Sequence, residues 1–217
     1  MRHLCEELHL WANALPAFSF PFDARVLPLN GIYILFERGE TAHRTNRIVR
    51  VGTHNGNDQL RSRLKQHFLV ENKDRSIFRK NIGRALLNKD RDPFLSDWEL
   101  DLTARKAKDQ FSARVDMSRQ IAIEKQVSNY IQSSFSFVIV VLPVDNREQR
   151  LQIESRLIST VSLCDRCQPS APWLGQFSPK EKIRKSGLWL VNKLYCEPLS
   201  HEDLKWLKDT NQRHRTT

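Results

Sequence analysis

Three side chains in the first third of the chain could act together on a phosphate ester. Tyr33 lies in a predicted strand, and Arg63 and His67 stand four residues apart in a predicted helix. A histidine can orient water or a phosphate oxygen near neutral pH, and an arginine can hold a phosphate through two N–H groups. A phenol can take a proton from water when a nearby cation lowers its pKa. Together these groups suit the hydrolysis of a phosphodiester bond, although a lone strand tyrosine or a lone Arg–His pair on a helix usually has no such role.

Glu154 is an acidic residue within an apolar helical stripe. It lies three residues after Leu151 and three before Leu157. Burying a bare carboxylate is costly, so this one must be paired, protonated or bound to a metal. An ion pair, for example with Arg63, and a metal ion explain the position equally well. Glu124 makes the same kind of interruption in another predicted helix, and periodicity does not choose between the two.

The hydrophobic pattern predicts the elements that position these groups. Strands are predicted at residues 31–36 and 47–51, joined by a polar loop, and at 137–142, where an unbroken apolar run indicates burial on both faces. Further strands are indicated at residues 98–102 and 188–194. Helices are predicted at residues 4–11, from a cap at Asn57 or Asp58 to residue 68, at 76–88, 117–131 and 147–163, and around Leu204 and Leu207.

Residues 1–29 are predicted to be a leader, since prolines follow its short helix.

The composition indicates a globular protein with a polyanionic partner. The chain has 217 residues, 40% of them hydrophobic and 28% charged, with a formal net charge of +10. Such a charge favours nucleic acid, and we expect DNA, with RNA as the alternative. No apolar run is long enough to span a membrane, and acidic residues stand where a signal peptide would be basic. We therefore expect no membrane association and a cytoplasmic protein, and no protein partner can be predicted from the sequence.

The order of these motifs resembles that of the GIY-YIG nucleases. Gly31-Ile32-Tyr33 matches the first half of the family signature, and Arg50-Val51-Gly52 takes the place of the second half. Residues 60–67 look like the helix that follows the signature in that family. Residues 153–158 look like the helix that bears the family's metal-binding glutamate. The position of the last segment, after the third predicted strand, selects Glu154 over Glu124.

The resemblance covers about residues 30–165, which would form the nuclease domain with an insertion at about 89–133, and residues 166–217 would be a C-terminal extension packed on the same domain. The resemblance also implies a fold, a cofactor and a reaction. The fold would be α+β, with a small three-stranded antiparallel sheet flanked by helices. One divalent cation, Mg2+ or Mn2+, would be held chiefly by Glu154, polarising the phosphoryl group. Tyr33 would act as the general base or assist it, Arg63 would stabilise the pentacovalent phosphate, and His67 would orient water or the tyrosine. The expected function is metal-dependent endonuclease cleavage of DNA.

Two departures from the family keep a second hypothesis open. Arg50 stands where the family has its second tyrosine, and the family's downstream asparagine has no near counterpart, Asn192 being a distant candidate. The alternative is a non-catalytic nucleic-acid-binding protein on a degenerate scaffold.

Several basic residues are candidate phosphate contacts, and we expect binding that weakens steeply with added salt. The candidates are Arg50, Arg61, Lys65, Arg79, Lys80 and Arg84. Arg79, Lys80 and Arg84 belong to the predicted helix at residues 76–88 and are expected on its exposed side.

The cysteines admit a zinc site but do not favour one. Cys164 and Cys167 form a CxxC motif, and Cys196 and His201 could complete a Cys3His set. The second pair is too widely separated for a typical zinc motif, and Cys164 falls at helical spacing from Val161, which suits a core thiol. We expect ordinary buried or surface thiols and no zinc. A zinc-stabilised interaction module is the third hypothesis, and it rests on the cysteines alone.

Overall fold

An antiparallel sheet of four strands forms the centre of the computed structural model, which describes residues 2–103, 105, 110, 115–142 and 146–213. The strand order is β1-β4-β2-β3, and every neighbouring pair is antiparallel. The predicted α+β class is confirmed, but the sheet has four strands instead of three. The extra strand comes from the proline-containing leader. The strands are β1 Phe18–Ser19, β2 Ile32–Ala42, β3 Thr45–Gly52 and β4 Phe135–Val140.

Helices cover both faces of the sheet. They are α1 Arg2–Asn13, α2 Leu60–Phe68, α3 Ile77–Lys89, α4 Leu95–Trp98, α5 Met117–Ser134, α6 Arg147–Ser162, α7 Glu181–Ser186 and α8 His201–Arg213. The helices predicted around the motifs are confirmed to within a few residues at their ends. Among the residues that the structure describes, none of these helices is long and apolar enough to span a membrane.

The alternation of side chains along β2 divides the interior into two cores. Ile32, Ile34 and Phe36 contribute to the first core, with α1, α6 and α8. Tyr33 and Leu35 contribute to the second core, with α2, α3 and α5. The central strand β4 divides its apolar side chains between the two cores in the same way, as its unbroken apolar run predicts.

The hairpin between β2 and β3 is longer than the sequence predicts. The polar residues expected to form a loop continue both strands to a two-residue turn at His43 and Arg44. Both turn residues have positive φ angles, 50° and 62°, which suits the twist of a tight hairpin. Polarity indicated a loop here, but two of the acidic side chains, Glu37 and Glu40, are buried.

Glu37 is buried because remote segments supply its hydrogen bonds. The indole N–H groups of Trp173 and Trp189 each donate to Oε2 at 2.7 Å, and the hydroxyl of Tyr130 donates to Oε1. Burial raises the pKa of Glu37, and the three donors act in the opposite direction. The C-terminal region therefore supplies part of the sheet's polar interior.

Other local predictions are wrong. Asp58 does not cap α2: Gln59 precedes the helix, while Asp58 has a φ angle of 58° and bonds to Asn30. Residues 99–102 follow α4 as turn and irregular chain instead of a strand. Residues 188–194 also form no strand, although the N–H of Trp189 donates to the carbonyl of Val49 on β3 at 2.8 Å. Residues 104, 106–109 and 111–114 of the predicted insertion and residues 214–217 of the predicted extension lie outside the described residues.

We predict that Tyr130→Phe lowers the free energy of unfolding by about 1–3 kcal/mol, because it removes one donor from a buried carboxylate without changing the volume much. Urea unfolding measures this loss. Tyr195→Phe is the control, since Tyr195 is exposed and its change should stay within about 0.5 kcal/mol. Equal effects of the two substitutions would contradict the assigned role of Tyr130.

Candidate active site

A cleft of about 860 Å³ opens beside the edge strand β3 and the loop that follows it. Three of the four predicted catalytic side chains line it, namely Tyr33, Arg63 and Glu154. Arg50, on β3, lines it as well. The fourth predicted residue, His67, lies behind Tyr33 and does not line the cleft.

Tyr33 reaches this edge by crossing the backbone of its neighbour on β3. Tyr33 pairs with Gly52 in the sheet, and a Cβ atom on Gly52 would overlap the tyrosine ring and its hydroxyl oxygen. Gly31 has a different reason for lacking a side chain: its φ angle is 150°, and a Cβ would lie 2.8 Å from the carbonyl oxygen of Val140. The glycines of both motif halves are therefore required by close approach or by backbone conformation.

A chain of hydrogen bonds runs from Tyr33 into the second core. The Tyr33 hydroxyl lies 2.7 Å from Nε2 of His67, and Nδ1 of His67 lies 2.7 Å from Oγ of Ser76. Ser76 is the N-cap of α3, and its Oγ accepts the N–H of Arg79. Tyr33, His67 and Ser76 are all buried. A buried chain of this kind holds the phenol in one position.

His67 is neutral in this environment. Burial lowers the pKa of His67 well below its usual value of 6.5, and three neighbouring guanidinium groups lower it further. Two proton arrangements fit these partners. In one of them, Ser76 donates its hydroxyl hydrogen to Nδ1 and Nε2–H donates to Tyr33. The Tyr33 hydroxyl hydrogen then has no partner in the chain and can point into the cleft.

Arg63 is held at the rim by α2 and by the turn that precedes α3. Its Nη1 donates to Oε1 of Gln66 at 3.0 Å and to the carbonyl of Arg75 at 2.9 Å. Its side chain is partly exposed and lines the cleft. An anion in the cleft can therefore reach it.

Glu154 comes to the cleft from the opposite face of the sheet. Its helix α6 packs into the first core, whereas Tyr33 belongs to the second, but both side chains line the same cleft at the sheet edge. The Glu154 carboxylate forms an ion pair with Lys193 instead of Arg63. Its side chain is 13% exposed and that of Lys193 34%. A cavity of about 170 Å³ adjoins the pair and is lined by Asn192 and Arg50.

Arg50 is a buried cation with unused hydrogen-bonding capacity. Its side chain is 5% exposed, its Nη1 donates to the carbonyl of Trp189, and its guanidinium lies 5.2 Å from the ring centre of Phe78. Its Nε has no hydrogen-bond partner among the described residues. A buried donor without a partner at the wall of a cleft suits an anionic ligand.

The donor set fits a single hard cation. Mg2+ typically takes one or two carboxylates and completes its shell with water and substrate phosphate. Glu154 offers such a carboxylate at the cleft wall, and Glu148 and Asn192 offer further oxygens in the cleft and in the adjoining cavity. Lys193 would have to leave Glu154, and its partial exposure allows this.

The expectation that the basic residues of α3 are exposed is wrong. Arg79, Lys80 and Arg84 are buried, because α3 packs against α4 and α5 and these neighbours carry acidic partners. Arg79 bonds to Glu124 at 2.7 Å, and Arg84 bonds to Glu99 at 2.6 Å.

Lys80 has polar partners too, since it bonds to Asp74 at 3.2 Å and to the carbonyl of Glu99 at 2.9 Å. The ion pair with Arg79 explains why Glu124 interrupts the apolar stripe of α5: its carboxylate has a structural partner. Arg79, Lys80 and Arg84 are therefore occupied by protein groups, and we do not propose them as phosphate contacts.

Arg61 and Lys65, the two candidate phosphate contacts on α2, differ in their surroundings. Arg61 donates to the carbonyls of Leu27 and Arg25, which fixes the chain before β2. Lys65 is exposed on α2.

Sequence reasoning missed two groups at the site, Ser76 and Lys193. The N-cap position of Ser76 was readable from the sequence, but its bond to His67 was not. Lys193 follows Glu154 by almost forty residues, and no local pattern connects them.

The Cys3His set considered from the sequence is not brought together. Cys164 and Cys167 are buried, but Cys196 is exposed. His201 is also exposed and lies 3.9 Å from Glu7.

We predict that His67→Gln flattens the acid side of the pH–stability curve. Because the folded pKa of His67 lies below the unfolded value, the unfolded chain binds the extra proton, so stability is complete above about pH 6.5 and falls as the pH falls. Protonation of this one histidine contributes at most about 1.4 kcal/mol per pH unit to the slope of the unfolding free energy, and His67→Gln should remove that contribution. Urea unfolding from pH 5 to 7.5 measures it. His201→Gln, at an exposed position, is the matched control, and an unchanged slope in His67→Gln would refute the neutral state.

We also predict that Gly52→Ala lowers the free energy of unfolding by about 1–3 kcal/mol through overpacking against Tyr33. The same substitution should be less costly in a Tyr33→Leu background, because the ring that it meets is gone. A double-mutant cycle by urea unfolding measures this coupling. Equal costs in both backgrounds would mean that the ring does not cross Gly52.

A comparison with protein-family models supports the family resemblance that the motifs indicate. A family model described as a GIY-YIG domain matches residues 21–216, which extends past both predicted domain boundaries at 30 and 165. No curated protein and no solved structure matches the chain significantly. Because the match covers nearly the whole chain, this protein belongs to the GIY-YIG family, whose members are typically endonucleases.

Proposed function

We propose that the protein is an endonuclease that hydrolyses DNA phosphodiester bonds with the help of Mg2+ or Mn2+. One observation carries the proposal. The buried Tyr33–His67–Ser76 chain ends at a cleft that Arg63 and Glu154 also line. A packed core has no need of a phenol held in this way at an open edge, whereas a reaction that removes a proton from water does.

Tyr33 is proposed as the general base. The Tyr33 hydroxyl first releases its proton to solvent through the cleft, and its oxygen then takes a proton from the attacking water while Nε2–H of His67 donates to the same oxygen. The water oxygen forms a bond to phosphorus as the bond to the departing oxygen breaks. Because His67 stays neutral, its role is to orient the phenol and stabilise its charge, not to take the proton itself.

Arg63 and Arg50 are proposed to stabilise the phosphate. Negative charge grows on the phosphoryl oxygens as the water attacks, and guanidinium groups placed beforehand stabilise it. Arg63 is at the rim and Arg50 at the wall of the same cleft. Arg50 takes the sequence position of the family's second tyrosine, and we propose that its cation contacts a substrate phosphate there.

Glu154 is proposed as the principal metal ligand. A bound divalent cation would act as a Lewis acid on the phosphoryl group and help the departing oxygen leave. The role of this chain is to present the carboxylate at the cleft and to release it from Lys193.

The net charge of +10 supports a nucleic acid as the substrate. Exposed Lys65 and the cleft arginines are the phosphate contacts that we propose. DNA is the proposed substrate, with RNA as the alternative.

One observation favours a second function, a nucleic-acid-binding protein that does not cut. The Glu154 carboxylate is already neutralised by Lys193, and the second motif tyrosine is replaced by Arg50. A scaffold with this pair locked in place would keep its basic cleft but would not take a metal.

We predict that the purified protein nicks supercoiled plasmid in Mg2+ or Mn2+ and not in chelator. Tyr33→Phe should slow nicking by about 100-fold or more, because it removes the general base, and should leave DNA affinity within about twofold since the positive charges remain. Glu154→Gln should abolish nicking in either metal, because it removes the principal metal ligand that we propose. Agarose gels follow nicking, and fluorescence anisotropy follows binding.

Tyr195→Phe is the matched control for the tyrosine, because Tyr195 is exposed and distant in sequence from every motif. Retarded but uncut plasmid in both metals would support the binding protein instead. Nicking by Glu154→Gln at the wild-type rate would remove Glu154 from its proposed role.

A further inference from the structure

Three thiols and one imidazole converge at the turn end of the β2–β3 hairpin. Cys5 comes from α1, His43 from the tip of the β2–β3 hairpin, and Cys164 and Cys167 from the segment after α6. Their four possible ligand atoms all lie within 4.8 Å of one another. None of them lines the catalytic cleft.

The distances suit a tetrahedral metal ion. Sγ of Cys5 lies 3.4 Å from Sγ of Cys167, and Nε2 of His43 lies 3.4 Å from the Sγ atoms of both Cys164 and Cys167. Zinc bonds of about 2.3 Å to sulfur and about 2.0 Å to nitrogen place neighbouring sulfurs about 3.8 Å apart, and sulfur and nitrogen about 3.5 Å apart. The cluster therefore needs only small adjustments to close around an ion.

The chemistry of the donors selects zinc. Three thiolates and one imidazole form a soft set, which suits zinc and not the hard cations that prefer oxygen. The three thiols are buried, and all four cysteines of the chain are free. A set of four protein ligands leaves no open position, which is typical of a structural site.

His9 touches the cluster, with Nδ1 3.6 Å from Sγ of Cys5 and Nε2 3.8 Å from Sγ of Cys167, but backbone groups hold both nitrogens more closely. Its Nε2 is 3.2 Å from the N–H of Ile48, which can only donate, so this nitrogen is the acceptor. Its Nδ1 then carries the ring hydrogen and donates to the carbonyl of Cys5 at 2.9 Å. Both nitrogens are used, and His43 is left as the histidine ligand.

We propose that Cys5, His43, Cys164 and Cys167 bind one structural zinc ion. The ion joins three segments that are remote in sequence, namely the N-terminal helix, the hairpin tip and the end of α6. It replaces the set that includes Cys196 and His201, and it revises the expectation from the sequence that the chain binds no zinc. This proposal is independent of nuclease activity.

Metal analysis of the full chain, purified without chelator, tests the proposal. We expect about one zinc ion per chain by mass spectrometry, as for other four-ligand structural sites. Cys164→Ser and His43→Ala should each lower the zinc content at least about fivefold, since each leaves the set one ligand short. Cys196→Ser is the matched control, because this exposed thiol lies outside the cluster, and Glu154→Gln controls for the proposed hydrolytic site. Both controls should keep their zinc.

Cobalt replacement tests the ligands without any substitution that could prevent folding. Wild-type protein reloaded with Co2+ should show the charge-transfer absorption of cobalt thiolates and the visible bands of tetrahedral cobalt. A folded wild-type protein that takes up neither zinc nor cobalt would overturn the proposal. So would cobalt spectra without thiolate bands, or loss of zinc from Cys196→Ser equal to that from Cys164→Ser.

Discussion

The Tyr33 phenol lies across the backbone of Gly52, and this close contact determines how the rest of the site is built. It requires β2 and β3 to pair in one register, because a shift of one residue would place a side chain under the ring. It carries the hydroxyl from the second core to the edge of the sheet. It also leaves the inner side of that oxygen to His67, so the position of α2 is tied to that of the hairpin. Both halves of the family signature thus serve the placement of one oxygen atom.

Buried polar groups fix the other elements around this contact. Arg47 on β3 donates to Glu40 on β2 and to the carbonyl of Gly187, which ties the hairpin to the C-terminal segment. Arg79 and Glu124 tie α3 to α5 in the same way. Replacing such pairs by apolar residues often leaves stability unchanged or higher, but removing one partner is strongly destabilising. The pairs are therefore weak evidence for added stability, but each one fixes the elements that it joins.

The sequence predicts the parts of this structure whose causes are local. The apolar run of β4 and the stripes of α2 and α6 lie within short windows, and the structure has each of these elements within a few residues of its predicted bounds. Several of the errors share one physical origin. Glu37 looked like loop because its two tryptophan donors lie far along the chain. Arg79 looked like solvated surface because its partner belongs to a different helix. The pairing of Glu154 with Lys193 was out of reach for the same reason.

Helix α6 joins two proposed metal sites of opposite chemistry. Glu154 lies in the middle of the helix and offers oxygen at an open cleft, whereas Cys164 and Cys167 follow its C-terminal end and offer sulfur in a buried cluster. Oxygen donors favour Mg2+ or Mn2+ and thiolates favour zinc, so each ion is directed to its own site by the softness of the ligands. A closed zinc site at one end would hold the helix in place, while the carboxylate in its middle stays free to exchange Lys193 for a catalytic cation. Lys193 is the more exposed partner of the ion pair, at 34% against 13% for Glu154, so the metal site that we propose requires Lys193, and not the carboxylate, to move away when a cation binds.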